Sequence, residues 1–131
     1  MLRTEESHAD RARLLLVHED KGYVTILSKR MARRQIDVVP AFSGNVALQL
    51  LREQDFDVAI LDPKLEDMDG RQLLKLVRIM DPQLPVIMFA ALDSERGLGE
   101  EKEAGAFASL PKLCDFDDLL QKVREALSAR R

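Results

Sequence analysis

Cysteine is almost missing from this chain of 131 residues: Cys114 stands alone. A single thiol closes no internal disulfide, so the expected setting is a reducing cytoplasm. Long hydrophobic runs are missing too. No stretch approaches the roughly 20 apolar residues that a membrane-spanning helix needs, so no membrane partner is expected. The start, Met1-Leu2-Arg3-Thr4-Glu5-Glu6, is not read as a signal peptide. Positive charge is in deficit, with a net charge of −3. That argues against direct nucleic acid binding, which calls for a basic face. The basic residues that do cluster, Lys29, Arg30, Arg33 and Arg34, suit a solvated helix face as well as a docking surface. Internal repeats and low-complexity segments are absent, and His8 lies in a polar tail that carries no inference.

What is present is ordinary globular chemistry, 46% apolar and 33% charged. The length suits one domain with a single well-buried core. Residues 1–11 read as a polar lead-in and 12–131 as the folded domain. The organising stretch is Asp57-Val58-Ala59-Ile60-Leu61-Asp62-Pro63. A short apolar run stopped by a turn signal suits a strand buried on both faces of a parallel sheet. Proline restricts the residue before it to extended conformations, so Asp62 finishes the strand at its carboxyl end. Ligands and chemistry gather there in open α/β sheets, although a lone Asp is also read as a turn or capping residue.

Around that strand the pattern alternates. Arg13-Leu14-Leu15-Leu16-Val17 is a second buried strand, running into His18-Glu19-Asp20. Val24, Leu27 and Met31 recur at helical spacing, with Tyr23 at the start. Ile36 to Ala41 reads as a strand, and Pro40 places it at a sheet edge. Ser43 caps a helix that carries Val46, Ala47, Leu50 and Leu51 on one side. Beyond the loop Lys64 to Gly70, Asp69 and Gln72 have capping-box spacing before the stripe Leu73, Leu76, Val77 and Met80. Asp81-Pro82 stops that helix, and Pro85 to Ala90 is a further strand. The segment 93–104 is a weak helix, since Gly97 and Gly99 each cost about 1 kcal/mol relative to alanine. Ala106 to Leu110 is a fifth strand. Asp115 caps a last helix with Phe116, Leu119, Leu120, Val123 and Leu127 on one face.

Five strands alternating with five helices predict an α/β fold, a flavodoxin-like, doubly wound (βα)5 domain with a parallel sheet in the order 2-1-3-4-5. That order brings His18, Glu19 and Asp20 to Asp62 across one crevice, with Lys112 reaching in from the other side. Carboxylates with a lysine suit Mg²⁺ and a phosphoryl group. Two carboxylates about 4 Å apart repel by roughly 4 kcal/mol at an effective dielectric near 20, which a divalent ion removes. An ionised Asp can act as a nucleophile and form an aspartyl phosphate. A histidine beside two carboxylates also suits Mn²⁺ or Zn²⁺. His18 is read alternatively as a solvent-facing loop residue.

From Arg13 to Leu127 the chain resembles the receiver domain of two-component response regulators. The residues that carry the likeness are Leu14-Leu15-Leu16-Val17 before an acidic cluster, Asp57 to Asp62, Leu65, Met68-Asp69-Gly70, Pro85 to Phe89, Ala104-Gly105-Ala106 and Lys112. The resemblance makes residues 12–131 a receiver domain and implies that Asp62 accepts a phosphoryl group from a histidine kinase. It also implies that Lys112 contacts the phosphate, and that Glu19, Asp62 and the backbone carbonyl of Lys64 hold Mg²⁺. His18 and Asp20 are further candidate donors. The departures are specific. His18 stands where the family has the first acid of its pair, and Glu19 stands for the second, normally Asp. Glu66 replaces a proline, Ala90 a Ser or Thr, Ser109 an aromatic residue and Leu113 a proline. Two versions follow: a receiver phosphorylated on Asp62, or a degenerate receiver that docks without phosphate.

Other classes fit less well. A haloacid dehalogenase-type phosphatase needs a second Asp where Lys64 stands. A flavin or nucleotide carrier needs a phosphate-cradling loop after the first strand, where this chain has acids. The family resemblance implies a signalling role rather than an enzyme's. Its partners would be a sensor histidine kinase or histidine phosphotransfer protein at the first helix. An output domain, an effector or a second copy in a homodimer would meet the 93–104 segment, the fifth strand and the last helix.

Overall fold

The computed structural model describes residues 11–90 and 105–130. Strands and helices alternate along them as β1 (Ala12–Val17), α1 (Lys21–Ala32), β2 (Ile36–Ala41), α2 (Gly44–Glu53), β3 (Val58–Leu61), α3 (Gly70–Met80), β4 (Val86–Ala90), β5 (Ala108–Pro111) and α4 (Phe116–Arg130). The helix expected over 93–104 lies outside the described residues. All strand pairs are parallel, in one sheet of order β2-β1-β3-β4-β5. This is the doubly wound architecture expected from the alternation.

Successive strand residues point to opposite faces, and here both faces are covered. Leu14, Leu16, Ile60 and Phe89 pack towards α1 and α4, with Val24, Leu27, Met31, Leu119 and Val123. Leu15, Val17, Leu61 and Met88 pack towards α2 and α3, with Ala47, Leu73, Leu74 and Val77. That double burial explains why β1, β3 and β4 read as continuous apolar runs rather than as alternating ones. Pro40 sits on β2, which among the described residues pairs only with β1, so its missing N–H withholds no ladder bond from a second neighbour there.

Three expectations shift. Val46 is exposed, because the buried stripe of α2 centres on Gly44 and Ala47, with Leu48 and Leu51 beside it. In α3, Leu74 is buried and Met80 lies exposed in the last turn beside the cap Asp81. The fifth strand starts at Ala108, not Ala106. Gly105 first turns the chain at φ 108°, a left-handed conformation suited to glycine, and pairing with Ile87 begins two residues after Ala106.

The basic residues of α1 and of the turn after it are in part structural. The Arg30 guanidinium lies 4.0 Å and that of Arg34 5.6 Å from the centre of the Phe116 ring on α4. Ser43 caps α2 as expected, accepting the Val46 N–H at 3.1 Å. Ser43→Ala is expected to cost about 1 kcal/mol, read as a lower urea midpoint at unchanged slope. An unaltered midpoint would show that the cap carries no stability.

Candidate functional site

Asp62 leaves the carboxyl end of β3, and His18 leaves that of β1, the neighbouring strand. Backbone bonds hold both residues in place. The Asp62 N–H donates to the Val17 carbonyl at 3.0 Å, and the His18 N–H donates to the Ala41 carbonyl at 3.0 Å. Proline after Asp62 ends the strand, and Gly70 closes the loop by donating its N–H to the Pro63 carbonyl at 3.1 Å. Asp62 is 2% exposed, so its carboxylate has lost nearly all its water.

Lys112 compensates for part of that loss. It follows β5, and its N–H donates to the Ala90 carbonyl at 3.2 Å, which aims its side chain over the end of the sheet. The ammonium donates to Asp62 Oδ2 at 3.2 Å and lies 3.1 Å from Oδ1. Yet Oδ1 accepts no hydrogen bond among the described residues. The 3.1 Å contact is an ion-pair approach. A buried acceptor left this way is costly unless something else fills it. The two residues central to the expected site do meet, over 50 residues of sequence.

The other expected donors each have a partner of their own. Glu19 accepts the backbone N–H of Glu66 through Oε2, tying β1's exit to the loop after Asp62. Asp20 is the N-cap of α1, accepting the Tyr23 N–H at 3.1 Å. His18 accepts the Asp20 N–H on Nδ1 at 3.1 Å. Lys64 is bridged to Asp69 across the loop. Among the described residues, no group of three or more His, Cys, Asp or Glu side chains is placed to hold a metal ion. Of the expected Mg²⁺ or Mn²⁺ donors, Glu19, Asp20 and His18 each accept a backbone N–H, and Asp62 meets Lys112.

The solvent-facing reading of His18 is also corrected. Its ring is 7% exposed and stacks on Tyr23 with centroids 4.7 Å apart and planes 29° apart. Phe89 meets both rings edge-on at 6.2 Å. Burial pushes the His18 pKa down. The Asp62 charge works the other way, and Lys112 adds to the lowering. Burial likewise pushes the Tyr23 hydroxyl up to about 12, with Cys114 and Asp62 contributing.

Two participants escape a reading of the sequence. Tyr23 looks like a helix-start aromatic, and only the β1–β3–β4 adjacency shows it covering His18 and Phe89. Asp67 looks like one more loop acid. Its carboxylate instead accepts the N–H groups of Gly44 and Asn45 at 2.9 and 2.8 Å, pinning the loop after Asp62 to the start of α2. These bonds hold its pKa below the usual value. The partners lie 22 and 23 residues away, so no local signature marks them.

Residues 14–124 match the family described as the response regulator receiver domain. The transcriptional regulatory protein ZraR of Salmonella typhimurium is 33% identical over 118 residues, covering 90% of this chain and 27% of that protein. The sporulation initiation phosphotransferase F of Bacillus subtilis is 27% identical over 115 residues, covering 88% of this chain and 93% of that one. Among solved structures, the receiver domain of the Francisella response regulator 1452 superposes with a TM-score of 0.86 at 28% identity. It covers 92% of this chain and 100% of that one. The chain thus spans about a quarter of the length of ZraR.

Proposed function

The chain belongs to the response regulator receiver domain family, and from that premise we propose that Asp62 is the phosphoacceptor of a two-component phosphorelay. The observation that carries this reading is the buried Asp62 carboxylate at the end of β3, met by the Lys112 ammonium at 3.1 and 3.2 Å. In the transfer, an Asp62 oxygen attacks the phosphorus of a phosphohistidine on the donor. A phosphorus–oxygen bond forms as the phosphorus–nitrogen bond breaks, and the electron pair leaves with the donor's imidazole nitrogen, which takes a proton from solvent. Lys112 offsets the charge that gathers on the phosphoryl oxygens.

Receiver domains are signalling modules and generally bind Mg²⁺. Glu19, Asp62 and the Lys64 carbonyl would hold such an ion, which would offset charge on the phosphoryl oxygens; no step is assigned to it. The donor would be a sensor histidine kinase or histidine phosphotransfer protein, and the receiver of the signal an output domain or effector. The family's usual hydroxyl and aromatic positions hold Ala90 and Ser109, so the response to phosphate would run through other groups.

The test is a small phosphodonor, acetyl phosphate, with the mass of the intact protein as readout. One added phosphoryl group is expected on the wild type and none on Asp62→Asn. No gain on the wild type at saturating donor, with and without Mg²⁺, would overturn the reading and leave a docking module that works without phosphate.

A further inference from the structure

The loop between Asp62 and α3 carries the Lys64 carbonyl, and bonds of two kinds hold it. Within the loop, Lys64 is bridged to Asp69, and the Gly70 N–H reaches the Pro63 carbonyl. These bonds shape the loop without tying it to other elements. Outside it, Glu19 takes the Glu66 N–H, and Leu65 and Met68 pack against the core. Asp67 reaches to α2. Its Oδ1 accepts the Gly44 N–H at 2.9 Å and its Oδ2 the Asn45 N–H at 2.8 Å, so both carboxylate oxygens grip the first two residues of that helix.

Two features give this grip a use beyond capping. The first turn of α2 already has a local cap, since Ser43 accepts the Val46 N–H, and water can satisfy N–H groups at an open helix end. The grip also has a companion. A Cβ at Gly44 would stand 2.6 Å from the Met68 Cγ and Sδ, so Met68 lies against the same turn that Asp67 holds. Two charge-assisted bonds from one planar carboxylate fix direction as well as distance. Asp67 therefore acts on the site through the loop backbone.

We propose that Asp67 is a positioning residue for the phosphoacceptor site. By gripping the start of α2 it holds the loop after Asp62, with the Lys64 carbonyl, in the arrangement that takes a divalent ion. The inference rests, for its labelling arm, on Asp62 being the phosphoacceptor. Asp62 and Lys112 are held by bonds of their own, so releasing the loop leaves them in place. A site that is competent only part of the time binds more weakly by that fraction. The loss thus falls on Mg²⁺ affinity and spares the rate once Mg²⁺ saturates.

The experiment compares the wild type, Asp67→Ala, Asp67→Asn and Ser43→Ala by Mg²⁺ titration calorimetry, urea midpoint, and acetyl phosphate labelling against Mg²⁺ concentration. In the labelling, an Asp62 oxygen bonds to phosphorus, the bond from phosphorus to the acetate oxygen breaks, and acetate leaves with the electron pair. Asp67→Ala is expected to raise the Mg²⁺ dissociation constant and the labelling midpoint about tenfold, as when the competent arrangement falls to about a tenth. Its labelling rate at saturating Mg²⁺ should match the wild type. Asp67→Asn loses the charge but keeps one acceptor oxygen, so its Mg²⁺ affinity should fall between the two. Ser43→Ala removes a cap from the same turn and touches no loop residue. It should lower the urea midpoint and leave Mg²⁺ affinity unchanged.

Four results would each overturn this inference and leave the phosphoacceptor reading standing. They are an Asp67→Ala with wild-type Mg²⁺ affinity, a Ser43→Ala weakened as much as Asp67→Ala, a loss confined to the saturated rate, and an Asp67→Asn as weak as Asp67→Ala. The last would mean that the charge, not the grip, is felt. Labelling absent from every protein at saturating donor would overturn the phosphoacceptor reading, while the Mg²⁺ affinities decide the Asp67 grip by themselves.

Discussion

Replacing Lys112 with methionine is expected to slow phosphoryl acceptance by about 10²–10³-fold, the usual loss when one donor to a developing oxyanion is removed. The same change is expected to lower stability by about 2–3 kcal/mol. Removing one partner of a fully buried pair costs roughly 3–5 kcal/mol, because the other charge is left without solvent or counterion. Here Asp62 is enclosed while the Lys112 side chain keeps 33% of its exposure, so water offsets part of the loss. The cause can be separated from lost packing. Adding Asp62→Asn to Lys112→Met removes the stranded charge and should recover most of the stability without restoring phosphorylation. Urea titration of the single and double variants reads this directly. A Lys112→Met protein as stable as the wild type would mean that Asp62 is not held by the ammonium.

Gly70→Ala should be the most damaging glycine substitution among the described residues. A Cβ at Gly70 would stand 2.6 Å from the Pro63 Cα, 3.0 Å from the Asp62 carbonyl oxygen and 3.1 Å from the Pro63 carbonyl carbon. All three are backbone atoms, so no rotamer change relieves them. Alanine in a helix is better than glycine by about 1 kcal/mol, whereas overpacking of this kind costs about 1–3 kcal/mol and at times more. The clash wins. Gly70 starts α3 directly under the lip that presents Asp62, so the shift should also slow phosphorylation. Gly44→Ala is the control. The three atoms nearest its Cβ would all belong to the Met68 side chain, at 2.6–3.0 Å, and that chain can swing away. Equal stability loss in the two variants would show that the backbone contact at Gly70 is not what matters.

The fold was almost wholly legible in the sequence, for a local reason. Leu14 to Val17, Val58 to Leu61 and Val86 to Ala90 are apolar without alternation, as strands covered on both faces must be, and Pro40 is tolerated only where one neighbour is missing. The helix faces were legible to within a residue or two. Val46 and Met80 were misplaced because a stripe's edge depends on where the helix lies on the sheet. The 93–104 segment lies outside the described residues.

The site was legible in its two principal members and not in the rest. Asp62 and Lys112 sit at strand ends, and strand order alone brings such ends together. The acids near them were a different matter. A carboxylate's task depends on which N–H or cation reaches it first, and in this molecule the α1 cap takes Asp20 and the Glu66 N–H takes Glu19.

By itself, then, the sequence determined the layer architecture, the strand order and the lip on which chemistry can occur, since all three follow from periodicity and chain direction. Only the tertiary structure decided that His18 is a buried, clamped imidazole, that Asp67 pins the loop to α2, and that the expected metal acids are engaged by the backbone. The Phe89 edge on His18, the Asp67 bonds and the Glu19–Glu66 bond join segments 22 or more residues apart, and no local pattern records which of two nearby partners a side chain will meet.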